Sequence, residues 1–400
     1  MATQYTKTLE QQERKMRVIY VGSYIPRKCG IATFTKDLTN AINVLNPYNL
    51  TEIMAINDNT SAYDYPWEVK FRINQDDLKT YIAAAEYINN SSAEVVCFQH
   101  EFGIFGGKNG EYAIPFLEQI RKPIVTTFHS VPDEPLESQK EIIRRICSLS
   151  AACVVMINNI VERLISTYGV DKKKLVVIPH GVPDIPFGAT EHFKKQLKLS
   201  GKFILTSINL LSPNKGIEIA IEAVPKVVKE IPNFIYLVIG ETHPVVKRKF
   251  NEEYRKELEK RVKSLKVKNQ VKFINRYLTL EELISYLRAA DVYITPYTDP
   301  GQVASGTLSY AVGAGKACIS TPYLYAQEVV DGDRGILVPF RNSGSVAKAI
   351  VKVFSQPRFR SQVERKAYDY GRLMIWPSVA LQYLDLFKLV LQKAKIYTSR

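Results

Sequence analysis

The sequence predicts two successive α/β domains, each built on a parallel sheet with helices on both faces. Three observations carry this. Short apolar runs of the kind that form buried parallel strands alternate with helical stretches along nearly the whole chain. The alternation is interrupted at PHGVPDIPFGATE (179–191) and then restarts. Finally, 400 residues exceed one ordinary core and suggest two domains of about 200 residues each.

Composition narrows the class. A hydrophobic content of 46% and a charged content of 24% are those of a soluble globular protein. No apolar run approaches the ~20 residues of a membrane span. The opening MATQYTKTLEQQERK is polar, without an apolar core for export, so 1–15 is expected as a flexible tail and the protein as cytoplasmic. Five cysteines (Cys29, Cys97, Cys147, Cys153, Cys318) form no CxxC pair and are expected to be reduced, buried and structural. The net charge of +14, from 54 basic and 40 acidic residues, suits phosphorylated ligands or an anionic membrane surface. Much of it lies in 247–272, where mixed signs at helical spacing read as a solvated helix face. Zinc-finger spacing and aromatic-studded basic strands are both missing from the sequence, which argues against nucleic acid.

In chain order, 16–23 (MRVIYVGS) reads as a strand, followed by the turn YIPRKCG and a helix starting near Gly30. This resembles a phosphate-binding first turn but lacks the GxGxxG spacing. Further apolar runs lie at 52–56, 69–73, 95–98, 124–128, 154–157 and 175–178, with helical stretches between most of them. After the interruption come a strand at 203–208, a helix at 216–229, a strand at 234–239 and one long helix at 243–265. A strand at 271–274 and a helix at 280–289 follow, then a strand at 335–340 and helical segments to the end, the last an amphipathic helix at 379–391. The expected divisions are a first domain over 16–185, a second over 186–372 and a C-terminal helix in 373–400.

The stretch 291–321, DVYITPYTDPGQVASGTLSYAVGAGKACIST, stands at the centre of the second domain. Strand, small-residue loop, helix and strand form a unit that presents backbone N–H groups to an anion, here around Ser305, Gly306 and Thr307. It is equally an ordinary crossover. Asp331-Gly332-Asp333 reads as a tight turn before a strand rather than a metal-binding DxD. Ligands in such sheets sit outside the carboxyl ends of the strands, and two facing domains make a cleft there. His129 in TFHS and His100-Glu101 in VVCFQHE fall at such ends, the latter pair ahead of the glycine-rich FGIFGG. Lys215 in SPNKG precedes a helix start, where a cation is electrostatically odd unless it serves an anion.

Five blocks, PIVTTFHS, VIPHGV, LLSPNKGIEIAIEA, ADVYITPY and GDRGILVPF, resemble glycosyltransferase family 4 in order, spacing and content. The resemblance covers about residues 16 to 390. It implies the GT-B fold: two Rossmann-like doubly wound domains facing across a cleft, with a C-terminal helix crossing back to the first. It also implies a retaining, metal-independent transfer of a hexosyl group (mannose or glucose type) from a nucleotide diphosphate sugar. The donor would be GDP- or UDP-linked and would be a substrate, with no cofactor. The acceptor would be a carbohydrate or glycolipid, with peripheral membrane contact left open.

In register with the family, Lys215 matches the diphosphate-binding lysine and His129 the histidine that contacts the donor sugar. Asn209 stands where many members carry an arginine. Gln302 and Tyr310 stand where members carry two glutamates, one contacting donor sugar and the other ribose. The resemblance thus makes His129, Lys215 and Gln302 the catalytic set. It puts Asn209, Arg276, Ser305, Gly306, Thr307 and Tyr310 on the donor side. Gly30, Arg27, His100 and Glu101 are the acceptor or cleft-lining group. Arg27 and Lys28 either supply charge across the cleft or are solvated loop residues, and His180 is either structural or close to substrate. Gln302 can still exchange hydrogen bonds with sugar hydroxyls, whereas Tyr310 cannot grip a ribose diol with a carboxylate. These departures keep three alternatives open: a glycoside phosphorylase of the same fold, a nucleotide-sugar epimerase and a non-catalytic sugar-nucleotide sensor.

Overall fold

The computed structural model of the chain describes residues 16–47, 50–58, 62–188 and 190–398. The tail expected over 1–15 lies outside the described residues. The chain forms two compact units, one running to Gly181 and taking in the segment from Trp376 onward, the other spanning Val182–Ile375.

The first unit alternates strand and helix: β1 (Val18–Gly22), α1 (Gly30–Leu45), β2 (Glu52–Asn57), β3 (Val69–Asn74), α2 (Leu78–Asn90) and β4 (Val95–His100). It continues with α3 (Ala113–Gln119), β5 (Ile124–Phe128), α4 (Glu137–Leu149), β6 (Ala152–Val155), α5 (Asn158–Ser166) and β7 (Leu175–Val177). The seven strands are parallel in the order β3-β2-β1-β4-β5-β6-β7. β1, β4, β5 and β6 are buried throughout, as strands covered on both faces must be. The winding reverses between β1 and β4, so their carboxyl ends diverge into loops that leave a crevice. α1 begins where the Cys29 thiol accepts the N–H of Ala32 at 3.3 Å.

The second unit repeats the scheme. Its elements are α6 (Thr190–Gln196), β8 (Phe203–Ile208), α7 (Ile217–Glu230), β9 (Phe234–Ile239), α8 (Pro244–Phe250), α9 (Glu253–Ser264), β10 (Val271–Ile274), α10 (Leu280–Ala289) and β11 (Val292–Thr295). Then come α11 (Gly306–Gly313), β12 (Ala317–Ser320), α12 (Leu324–Val330), β13 (Gly335–Leu337), α13 (Ser343–Ser355) and α14 (Pro357–Gly371). The parallel sheet runs β10-β9-β8-β11-β12-β13, reversing between β8 and β11. Leu205, Val238, Ile294 and Ile319 on the strands pack with Ile217, Ile221, Val224, Val346 and Ile350 on the helices. Each such side chain stabilises the fold by about 1.5–3 kcal/mol. The final helix, α15 (Trp376–Thr398), belongs to the first unit and lies along α1. It is fixed by a 2.9 Å hydrogen bond between the hydroxyls of Tyr383 and Thr127 and by Phe387 set edge-on to Tyr20.

The long helix expected at 243–265 is two helices. Asn251, at φ 50° and ψ −133°, breaks it. The break turns the Glu252 carboxylate inward to the Thr242 hydroxyl, Lys247 at 3.2 Å and Arg255 at 3.4 Å. Helical charge spacing continues on both sides of the break, so periodicity alone does not reveal it. Four cysteines are buried as expected, but Cys29 is half-buried, as the cap of α1. Asp331-Gly332-Asp333 is a turn, with Gly332 and Asp333 at φ 64° and 62°.

Candidate functional site

In the first unit the residues of interest gather at the carboxyl ends of β1, β4 and β5. His129 follows β5, and its backbone N–H donates to the carbonyl of His100 at 3.0 Å. Its Nε2 lies 2.8 Å from Oε1 of Gln99 on β4. That oxygen can only accept, so Nε2 carries the proton and Nδ1 the lone pair. Gly22, ending β1, makes room for this: a Cβ there would lie 2.9 Å from the Cβ of Gln99. Phe34 of α1 meets the His129 ring edge-on at 4.9 Å. Burial lowers the His129 pKa to about 3, with His180 and His100 adding to the effect, so the ring is neutral at ordinary pH. It is a polar contact rather than a cation.

The other first-unit candidates divide. His100 lines no accessible surface: it is 0% exposed, with Phe102, Phe128 and Phe105 around its ring, and neither ring nitrogen has a hydrogen-bond partner among the described residues. Burial lowers its pKa to about 3. Glu101 keeps partial exposure, and burial raises its pKa above the ordinary carboxylate range against the pull of hydrogen-bonding neighbours. Arg27 is committed within its own unit, to the carbonyl of Ile56 at 3.1 Å, to Gln75 at 3.3 Å and to the Asp58 carboxylate at 3.5 Å. Gly30 opens α1 facing free space, since a Cβ there would meet nothing within 4 Å. His180 donates from Nδ1 to the Gly181 carbonyl at 2.7 Å and packs against Phe34 and Trp376, a structural arrangement.

In the second unit the two loops leaving β8 and β11 meet where the winding reverses, the place an open α/β sheet offers a ligand. The first loop carries Asn209 and ends in Lys215 and Gly216. Gly216 takes φ 60° because it passes the carbonyl of Pro296, which a Cβ would approach to 2.0 Å. The Thr298 N–H donates to Asn214 at 3.0 Å, tying the second loop to the first. Lys215 Nζ then lies 4.0 Å from the centre of the Tyr297 ring and 3.5 Å from Oε1 of Gln302. Among the described residues no carboxylate pairs with it. Gln302 is held by its own amide nitrogen, which donates to the Ala304 carbonyl at 2.8 Å. α11 starts after Ser305, whose side chain does not cap it, so the first-turn N–H groups of Gly306 and Thr307 are left for another acceptor.

Two donor-side candidates sit otherwise. Arg276 is surface-exposed and pairs with Glu282 at 2.6 Å, the residue that also closes the capping box of α10 with Thr279. Tyr310 is buried within α11, 5% exposed. Sequence reasoning missed Gln99 and Tyr297. Gln99 is adjacent to His100 and Tyr297 closes the block ADVYITPY, but glutamine inside an apolar strand and tyrosine at a strand end read as core. The only signal was position at a carboxyl end.

Solved structures first define the fold. The chain superimposes on Anabaena HepE, crystallised with UDP and glucose, at a TM-score of 0.76, with 14% identity over 93% of this chain and 99% of that one. Sucrose-phosphate synthase from Thermosynechococcus elongatus gives 0.77, with 17% identity over 94% and 100%. The fold is that of the GT-B glycosyltransferases. Two family models then match, one described as glycosyl transferases group 1 over residues 189–370 and one as glycosyltransferase family 4 over residues 65–184. An uncharacterised glycosyltransferase of Methanocaldococcus jannaschii is 23% identical over 94% of this chain and 99% of its own length. A phosphatidyl-myo-inositol mannosyltransferase of Mycolicibacterium smegmatis is 24% identical over 68% and 67%. The chain belongs to glycosyltransferase family 4, the group 1 glycosyltransferases, and is a glycosyltransferase. Among the described residues no helix is long and apolar enough to cross a membrane.

Proposed function

We propose that this enzyme moves a hexosyl group of mannose or glucose type from a GDP- or UDP-linked sugar to an acceptor hydroxyl. Anomeric configuration is retained and no bound metal takes part. The observation that carries the reading is Lys215: a cation between two loops at the sheet reversal, without a carboxylate partner among the described residues, beside the uncapped N-terminus of α11. In transfer the bond from the anomeric carbon to the β-phosphate oxygen breaks. The acceptor oxygen bonds to that carbon on the same face, and its proton leaves with the diphosphate. Lys215 Nζ and the first N–H groups of α11 meet the charge that develops on the leaving phosphate. Gln302 exchanges hydrogen bonds with sugar hydroxyls, and neutral His129 presents the Nδ1 lone pair while Gln99 holds its other nitrogen. The UDP and glucose found with HepE, and the mannosyltransferase activity named for the mycobacterial relative, support a nucleotide-linked hexose donor and a carbohydrate or glycolipid acceptor.

The test is incubation with a panel of UDP-, GDP- and ADP-sugars and simple or lipid-linked acceptors, with and without a chelator. Release of nucleoside diphosphate unaffected by the chelator, with a product of the donor's anomeric configuration by NMR, is the expected result. Consumption of free phosphate with formation of a sugar phosphate would mean a phosphorylase instead, and inversion at the anomeric carbon would reject retention.

A further inference from the structure

Tyr297 joins the anion-facing groups of the second unit. Its ring underlies the Lys215 ammonium at 4.0 Å, and its hydroxyl donates to Oδ1 of Asn209 at 2.6 Å and lies 3.4 Å from the Ser305 hydroxyl. The tyrosine itself is held fast. It is 2% exposed, stacks on Tyr323 at 5.0 Å with the planes 16° apart, and its carbonyl accepts the Thr321 hydroxyl at 2.6 Å. Tyr323 in turn donates to the Thr295 hydroxyl at 3.2 Å. Asn209 follows β8 and is 8% exposed. With Oδ1 taken by Tyr297, its Nδ2 is a buried donor without a partner among the described residues. An amide N–H left unpaired in a protein interior costs about 1–3 kcal/mol, so such a group ordinarily serves an acceptor that binds there.

We propose that Asn209 Nδ2 donates to the diphosphate of the donor alongside Lys215, and that Tyr297 is the positioning residue that aims both. This rests on the reading of the site as a nucleotide-sugar site and assigns its donors. A lone ammonium neutralises charge but sets little direction. An amide locked by a buried hydroxyl adds direction without adding charge. Tyr297 acts on Asn209 through its hydroxyl and on Lys215 through its ring, so the two actions can be separated by substitution.

The experiment is calorimetric titration of UDP, GDP and pyrophosphate into the full chain, with thermal unfolding of each variant measured without ligand. Tyr297→Phe keeps the ring under Lys215 and releases Asn209. Asn209→Ala removes the donor. Each is expected to weaken the best-binding ligand about five-fold or more, the equivalent of one hydrogen bond. The double variant is expected to be no weaker than Asn209→Ala by more than about two-fold, because Tyr297 works through the residue already removed. Asn209→Asp keeps the oxygen that Tyr297 holds and turns the donor into an acceptor, so it should bind worse than Asn209→Ala. Additive losses in the double variant, or an Asn209→Asp variant that binds like the wild type, would overturn the proposal. Binding of pyrophosphate but of no nucleotide, with the same pattern across variants, would keep the diphosphate cradle and reject the nucleotide-sugar reading. Binding of none of the three would reject both.

Discussion

Oε1 of Gln99 accepts the Nε2 proton of His129 across 2.8 Å, and this one contact sets the tautomer of the histidine. Nδ1 is then the nitrogen with a free lone pair. Replacing Gln99 with Leu removes the contact while leaving the strand apolar. We expect kcat to fall about ten-fold or more, with a smaller change in KM, because the ring loses orientation rather than existence. Nitrogen-15 NMR of the wild type should show the Nε2-protonated form. Observation of the Nδ1-protonated form would refute the assignment.

Lys215 tests the site's electrostatics. Lys215→Ala should raise the barrier by about 3 kcal/mol or more, read as kcat/KM, with an unchanged far-UV spectrum and melting temperature. Lys215→Arg should recover part of the loss, since a planar fork cannot reproduce a point charge above the Tyr297 ring. Unchanged turnover in the alanine variant would remove Lys215 from the chemistry.

Gly216 links fold to site. Its φ of 60° and the 2.0 Å that would separate a Cβ from the Pro296 carbonyl leave no place for a side chain. Gly216→Ala is expected to destabilise the protein by about 2–4 kcal/mol and to displace Lys215 beside it, so activity should drop even at temperatures where the variant is folded. Denaturant unfolding alongside steady-state assays separates the two effects.

The buried histidines make the first unit acid-sensitive. Burial lowers His100 and His129 to about 3 and His180 to about 4. In the unfolded chain each titrates near 6.5. Between these values the unfolded state binds more protons, so the stability that these groups contribute is complete above about pH 6.5 and is lost as pH falls toward 3–4. Among the described residues, His100 has no side-chain hydrogen bond to lose. His100→Phe should therefore flatten the acid limb relative to the wild type, with unfolding midpoints compared at pH 7 and pH 4.5. Parallel pH profiles for the two proteins would contradict this.

Alternating apolar runs were enough to read two parallel sheets from the sequence, because a strand buried on both faces must be apolar along its whole length and a helix must cover each face. His129 was singled out for the same reason, because it follows such a run at its carboxyl end, whereas Lys215 and Ser305–Thr307 were singled out by their place at helix starts. The tertiary structure decided which of these side chains are free to meet a ligand and which are committed elsewhere. His100 follows the same rule of position but is turned inward, Tyr310 is buried within α11, and Arg276 and Arg27 carry the right charge but spend it on Glu282 and Asp58. Tyr297 and Gln99 had no signal beyond their position near a strand's carboxyl end. Their roles come from contacts across 88 and 30 positions of sequence, to Asn209 and His129, set by the order in which the strands lie in each sheet. Local pattern determines which elements form, because burial and periodicity are properties of a short segment. The pairing of donors and acceptors at strand ends is determined only once the sheets are assembled, because it depends on the few ångströms that separate neighbouring loops.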